Sequence, residues 1–299
     1  MASEKTQRAY RYRVVDVFTQ HPLEGNPLAV FPDASGLDDL TMQRIAGELN
    51  LSETTFVVPS TRANCAIGVR IFTSARELVF AGHPTIGTSF VVLEEGLVPK
   101  NSDSFAVDEK IGPVPICIES GERPLIWLTT PPIHFGKNFD RSLCAQALGL
   151  DPNSLLDISP QLVSAGNPTV FIALKDKEAV DRAWLDSAGL AALKAGTPQE
   201  PFCVFVFTPT TAGAYARMFA PEYGIAEDPA TGSSTGPLAA FMMQHKLVSR
   251  AAGSRFISEQ GTKMGRRSIL YVRMHGAQGA DGIDVGGYVT PIIDATMTL

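Results

Sequence analysis

One stretch of this sequence occurs twice. His83-Pro-Thr-Ile-Gly-Thr-Ser89 and Asp228-Pro-Ala-Thr-Gly-Ser-Ser234 share the form (His or Asp)-Pro-x-x-Gly-(Thr or Ser)-Ser at an offset of 145 residues. Two further pairs keep the same order. Gly25-Asn26-Pro27 matches Gly166-Asn167-Pro168 at 141, and Arg70-Ile71-Phe72-Thr73 resembles Arg217-Met218-Phe219-Ala220 at 147. One match would be chance, but three in one order at one offset point to a duplicated unit, and the period is too long for a solenoid. The fold expected is α+β: two pseudo-symmetric lobes, each a mainly antiparallel sheet wrapped around a central helix. The lobes are placed at residues 8–125 and 126–299, with the last strand free to return to the first lobe. The central helices are expected to begin near Gly87 and Gly232. The second is apolar nearly all round from Pro237 to Met243, as befits a helix enclosed by a sheet.

Outward from the motifs, Arg11 to Phe18 (RYRVVDVF) alternates and is rich in β-branched residues, so it reads as a strand. Leu23 to Pro27 (LEGNP) supplies turn chemistry and LAVF resumes a strand, giving a hairpin-like start. A helix is expected around Leu37 to Leu49, with Leu37, Leu40, Ile45 and Leu49 near one face. Asp38 and Asp39 stand at its positive end and Asn50 just beyond it. Short strands follow at Thr54–Val58, Ala66–Thr73, Phe105–Val107, Val114–Glu119 and Leu125–Leu128.

The 299 residues are 44% apolar and 19% charged, with net charge −6 spread as −4 over residues 1–150 and −2 over 151–299. A chain this long buries a full core unaided, and this composition excludes a disordered polymer. No basic stripe is available for phosphates, so no nucleic acid partner is expected. No run approaches the length of a membrane span, and the polar start MASEKTQRAYRYR lacks a secretory core. Cys65, Cys117, Cys144 and Cys203 form no CxxC pair and have no histidine at ligand spacing, so no metal site is expected. They read as reduced thiols, which places the chain in the cytoplasm.

Both repeated motifs lead into a helix, where a glycine admits close backbone approach and orphan N–H groups attract an anion. Facing copies would hold an anionic substrate between the lobes, with His83 and Asp228 projecting from equivalent positions on opposite walls. Two such groups suit proton transfer on a carbon acid. Other features are weaker. Gly276 to Gly287 (GAQGADGIDVGG) lacks GxGxxG and reads as a hairpin loop, and no G-x-S-x-G elbow is present. Arg266 and Arg267 are either carboxylate partners or a solvated pair. His21, His134, His245 and His275 lie outside the motifs.

The chain resembles the PhzF-like phenazine biosynthesis family, within the diaminopimelate-epimerase-like fold. The resemblance rests on Val15-Asp16-Val17-Phe18, Glu24-Gly25-Asn26-Pro27, Asn50-Leu51-Ser52-Glu53-Thr54-Thr55-Phe56, Phe80-Ala81-Gly82-His83-Pro84, Glu227-Asp228-Pro229-Ala230-Thr231-Gly232-Ser233, and Gln260-Gly261 with Met264-Gly265-Arg266. It implies a cofactor-independent isomerase moving a proton on a small cyclic or unsaturated carboxylic acid, resembling trans-2,3-dihydro-3-hydroxyanthranilate isomerase. It also implies a homodimer. By the same resemblance Glu53 is the base, with His83 and Asp228 as further catalytic groups. Ser52, Gly82, Gly232 and Ser233 then hold the substrate. Thiol-based epimerases of the broader fold carry cysteines at the heads of the repeated motifs, where this chain has His83 and Asp228. The alternatives are a non-thiol amino-acid racemase or epimerase, and a catalytically silent binding protein of the same fold.

Overall fold

The computed structural model describes residues 8–195, 201–249, 251, 253–275 and 282–299. Of the glycine-rich segment, residues 276–281 lie outside the described residues, and Ile283–Gly287 is a strand. Of the polar start, residues 1–7 lie outside them as well.

In the first half, Ala9–Val17 pairs antiparallel with Asn26–Phe31, which runs parallel to Glu53–Val58; Ile67–Phe72, Ser104–Glu109, Gly112–Glu119 and Leu125–Thr129 continue the sheet. The second half repeats this order with Gln161–Ser164, Thr169–Ala173, Cys203–Thr210, Gly213–Ala220, Arg255–Gln260, Ser268–Met274 and Ile283–Gly287. The pairing senses repeat too, down to the parallel neighbours Asn26–Phe31 with Glu53–Val58 and Thr169–Ala173 with Cys203–Thr210. Leu125–Thr129 pairs with Ile283–Gly287 and joins the halves; residues 125 and 126, where the sequence was divided, lie in this strand. The strand after each half adds to the start of the other. Val289–Thr298 pairs with Ala9–Val17, and His134–Asn138 with Gln161–Ser164.

Each lobe encloses one 13-residue helix, Gly82–Glu94 and Gly232–Gln244. All but the last residue of each is buried, so neither has a polar face. The first begins five residues earlier than the sequence suggested. Pro84 falls in its first turn, where a missing N–H costs nothing. Gly87 is mid-helix; a Cβ there would come within 2.6 Å of Leu28 and 2.8 Å of Val17, so this glycine brings the helix onto the sheet.

The positional equivalence expected of His83 and Asp228 is therefore corrected. His83 is the second residue of its helix and matches Ser233, whereas Asp228 ends the strand Ile225–Asp228. Register agrees: Leu78 pairs with Ile71 as Asp228 pairs with Met218. The loop Pro229–Thr231 separates Asp228 from the second helix, and motif similarity alone could not reveal that shift.

The peripheral helix Asp39–Leu49 is capped by Asp38, whose carboxylate accepts from Thr41 N, and closed by Asn50 at φ 49°. Its buried face is Met42, Ile45 and Ala46. Leu40, assigned to that face from sequence, is 69% exposed; five residues before Ile45, it lies about 140° round the helix.

Candidate active site

Where the N-termini of the two enclosed helices meet, their backbones touch. A Cβ on Gly82 would lie 2.4 Å from the Gly232 carbonyl carbon and 2.5 Å from Ser233 N. Only glycine allows that approach. The first N–H groups of each helix have no intrahelical acceptor. Asp38, Asp140, Asp176 and Asp186 cap the four peripheral α-helices with side-chain hydrogen bonds, but Ala81 and Thr231 supply no side-chain cap to the enclosed pair. Two positive helix ends thus converge uncapped beside a small cavity.

Glu53, Gly82, His83, Asp228, Gly232 and Ser233 all line this cavity. Ser52, the remaining residue singled out from sequence, is half-buried and does not. Side chains alternate along extended backbone, so turning Glu53 inward turns its neighbour away. Among the described residues no lysine or arginine lines the cavity. Arg266 instead donates to Asp16, Glu24 O and Gly25 O, and Arg267 to Glu259. The histidines outside the motifs do not line it either.

Glu53, His83 and Asp228 are 7%, 3% and 4% exposed. His83 Nε2 stands 3.2 Å from Glu53 Oε2, a close contact not aligned as a hydrogen bond, and neither atom has a hydrogen-bond partner among the described residues. On the far side of the ring, Asn26 Nδ2 lies 3.2 Å from His83 Nδ1. An amide nitrogen has two protons and accepts none, and its shorter contacts are to Asp228 and Ala230. The longer contact with Nδ1 can only share one of those protons, which still excludes a proton on Nδ1 and leaves the ring proton on Nε2, on the side of Glu53. The same amide donates to Asp228 Oδ1 at 2.7 Å and to Ala230 O at 2.9 Å. Asp228 Oδ2 accepts from the Thr231 hydroxyl at 2.5 Å.

Burial sets the charge states. It lowers the His83 pKa to about 3, so the ring is neutral. It raises Asp228 to about 7 against the pull of Thr231 and Asn26. Glu53 rises well above the ordinary carboxylate range, first from burial and then from the nearby Asp228 charge. Gln260, wholly buried, fixes the Asp228 loop: Nε2 donates to Asp228 O at 2.7 Å and Oε1 accepts from Thr231 N at 3.1 Å.

Reading the sequence alone left several residues without a role. Asn167 donates to Phe80 O at 2.8 Å and to Ser233 Oγ at 3.3 Å, mirroring Asn26 across the lobes. The repeated Gly-Asn-Pro carried the signal for both asparagines. Cys203 lines the cavity and is the counterpart of Glu53: Thr169 pairs with Cys203 as Leu28 pairs with Glu53. Burial and nearby carboxylates push its thiol up, so it stays protonated. Met218, Tyr223 and Ile225 give the cavity an apolar end.

A two-lobed α+β fold closing on a buried carboxylate–imidazole–carboxylate group defines a class of isomerases that move protons on carbon. The chain belongs to the phenazine biosynthesis-like (PhzF) family, whose model matches residues 15–295. It is 34% identical, over 93% of its length and 95% of the relative's, to trans-2,3-dihydro-3-hydroxyanthranilate isomerase of Pseudomonas aeruginosa. The enzyme of the same name from Pseudomonas chlororaphis is 32% identical over 89% of this chain and 91% of its own. Among solved structures, a Bacillus anthracis phenazine biosynthesis protein of the PhzF family superposes with TM-score 0.86 at 26% identity, covering 98% of this chain and all of that one. A hydroxyproline epimerase from Agrobacterium vitis shares the fold at TM-score 0.65 and 11% identity, covering 98% of this chain and 93% of its own. The chain is thus an isomerase by family. No helix among the described residues is long and apolar enough to cross a membrane.

Proposed function

We propose that this isomerase shifts a proton between carbons of a small cyclic or unsaturated carboxylic acid, with Glu53 as the base. The observation that carries the reading is the Glu53–His83 contact of 3.2 Å, buried beside two uncapped helix ends. The substrate carboxylate takes the place of the missing caps, held by the N–H groups of the first turns at Gly82, Gly232 and Ser233. Ionised Glu53 removes a C–H proton, becoming the neutral acid while the electron pair delocalises into the unsaturated system. That step relieves the Glu53–Asp228 repulsion, which makes Glu53 a stronger base than an exposed carboxylate. Neutral His83, oriented by Asn26, keeps its Nε2 proton on the side of Glu53, with Nε2 3.2 Å from the carboxylate. A small turn of either side chain lets it donate to the carboxylate before the proton is taken and after it is returned. The Glu53 O–H then returns the proton to a second carbon, restoring the enzyme. Asp228 and the Ser233 hydroxyl fix polar substituents, while Met218 and Ile225 meet the ring.

The test is Glu53→Gln assayed with trans-2,3-dihydro-3-hydroxyanthranilate, the substrate named for the relatives. Turnover should fall at least roughly 10³-fold with binding retained. Substrate labelled at the reacting carbon and run in D₂O should keep part of its hydrogen in the product. Unchanged turnover in the variant, or binding without turnover in the parent, would refute it.

One observation favours a second reading, epimerisation. Cys203, standing opposite Glu53 in the repeat, would be the proton donor to the other face of a carbon acid. Complete solvent exchange with inversion would select that reading. We further propose that residues 8–125 and 126–299 act as the two lobes of each protomer, and that the protomers pair as a cytoplasmic homodimer. Family resemblance supports the dimer, and a monomer in light scattering would remove it.

A further inference from the structure

Glu109 is a further buried carboxyl group, outside the cavity and unused by the mechanism above. It ends the strand Ser104–Glu109, is 3% exposed, and contacts Thr85 in the first turn of the helix that carries His83. Thr85 Oγ1 lies 2.5 Å from Glu109 Oε1 and 2.7 Å from Ala81 O. A hydroxyl has one proton for these two contacts, and a backbone carbonyl cannot donate. The second proton must therefore come from Glu109, giving a chain from the Glu109 O–H to Thr85 and from the Thr85 O–H to Ala81 O. Burial favours the same neutral form, raising this carboxyl to about 8.

Repeat geometry assigns the contact a purpose. Ile67 pairs with Val107 as Ala214 pairs with Ser258, which sets Glu109 in the place of Gln260. Gln260 ties down the loop before the second helix. Thr85 and Thr235 match as well, each bonding the carbonyl that starts its helix, Ala81 O and Thr231 O. The first lobe thus places a carboxylic acid where the second places an amide.

We propose that Glu109, in its protonated form, is a positioning residue: through Thr85 it fixes the uncapped helix end that presents Gly82 and His83 to the substrate. Ionisation breaks the chain of donors and sets a buried negative charge beside the helix end that receives the substrate anion. The charges nearest it in sequence and fold are engaged elsewhere. Lys110 and Arg70 bind Glu77, Asp108 binds Arg62, Ser60 and Thr61, and His83 faces Glu53 and Asn26. The proposal rests on the function proposed above only for the site it serves.

The experiment compares the parent, Glu109→Gln and Glu109→Ala. With trans-2,3-dihydro-3-hydroxyanthranilate as probe, the parent KM should rise as pH passes through about 8 while kcat changes less. Glu109→Gln, which donates at every pH, should keep kcat within about threefold and hold KM flat. Glu109→Ala should lose about tenfold or more in kcat. A Gln variant that retains the alkaline rise in KM, or that fails as badly as the Ala variant, overturns the proposal. The ¹⁵N resonances of the His83 ring in the unliganded protein give an arm independent of turnover. They should match the parent in Glu109→Gln and move in Glu109→Ala; movement in neither variant also overturns it. Failure of the probe to react, with this second arm intact, would instead count against the proposed substrate.

Discussion

Asn26 and Asn167 occupy matching places in the two lobes and reach past each other. Asn26 donates to Ala230 O of the second half, and Asn167 to Phe80 O of the first. Each also touches the second residue of an enclosed helix, His83 in one case and Ser233 in the other. The lobes are thereby stitched beside the cavity by the same two amides that orient its polar groups.

The symmetry is structural and the chemistry is not, which separates two substitutions. Asn26→Ala leaves His83 Nδ1 without its donor and removes a hydrogen bond from Asp228, so kcat should fall roughly 10²-fold. Asn167→Ala frees only Phe80 O and Ser233 Oγ and should leave kcat within about tenfold. Both should lose about 1–3 kcal/mol of stability in denaturant titrations. Equal kinetic damage from the two would contradict the assigned tautomer.

Close contact at the helix junction makes a steric prediction. A Cβ on Gly82 would stand 2.4–2.6 Å from the backbone of Gly232 and Ser233, which cannot swing aside. At Gly232 the closest approaches are 3.0 Å. Gly82→Ala should therefore cost about 1–3 kcal/mol and most of the activity, and Gly232→Ala visibly less. Differential scanning calorimetry orders the two; a more stable Gly82→Ala would mean that the helix ends are not in contact.

The rate should follow a carboxyl group titrating above its ordinary range. Glu53 acts only when ionised, and burial with the Asp228 charge raises its pKa. The acid limb of kcat/KM should accordingly lie well above the 4.5 of a free glutamate. Asp228→Asn removes the repelling charge, so the limb should move to lower pH even as the maximal rate drops. No movement would show that Asp228 is neutral over the working range.

Stability carries the same signature. Glu109 and Asp228 have folded-state pKa values raised to about 8 and about 7, above those of exposed side chains. Between the two sets of values these two carboxyls bind more protons folded than unfolded, so their contribution to unfolding free energy declines as pH rises from about 4 toward 8. Buried His83 acts in the opposite sense below its ordinary 6.5. Glu109→Gln should flatten the upper part of that slope in thermal melts taken across pH. An unchanged slope would mean that Glu109 is already ionised at neutral pH.

Much of this was legible in the sequence because the repeat is literal where backbone geometry is demanding. Gly25 and Gly166 both have positive φ, at 68° and 110°, and the asparagine after each must face the other lobe. Composition likewise marked the second enclosed helix as apolar nearly all round. The alignment failed at His83 and Asp228 because Gly87 and Gly232, alike in the motif, serve different ends. One packs a helix on a sheet, and the other starts a helix against its twin. Cys203 and Gln260 were invisible as site residues. They reach the cavity and its loop through strand register, which fixes partners far apart in the chain.

A last prediction concerns a residue well outside the cavity. Arg266 donates to Gly25 O at 2.8 Å, Glu24 O at 2.8 Å and Asp16 at 2.6 Å, and Asp16 also accepts from Leu23 N at 2.7 Å. These bonds hold the turn from which Asn26 departs. Arg266→Met would leave the buried Asp16 carboxylate without its cation and should cost about 2–4 kcal/mol. Burial already pushes Asp16 up in pKa, so losing Arg266 should push it further and make the variant recover stability at acid pH. If the turn serves only stability, kcat at saturating substrate should be unchanged in the folded fraction. If it aims Asn26, kcat should fall in parallel with Asn26→Ala, and combining the two substitutions should add little further loss.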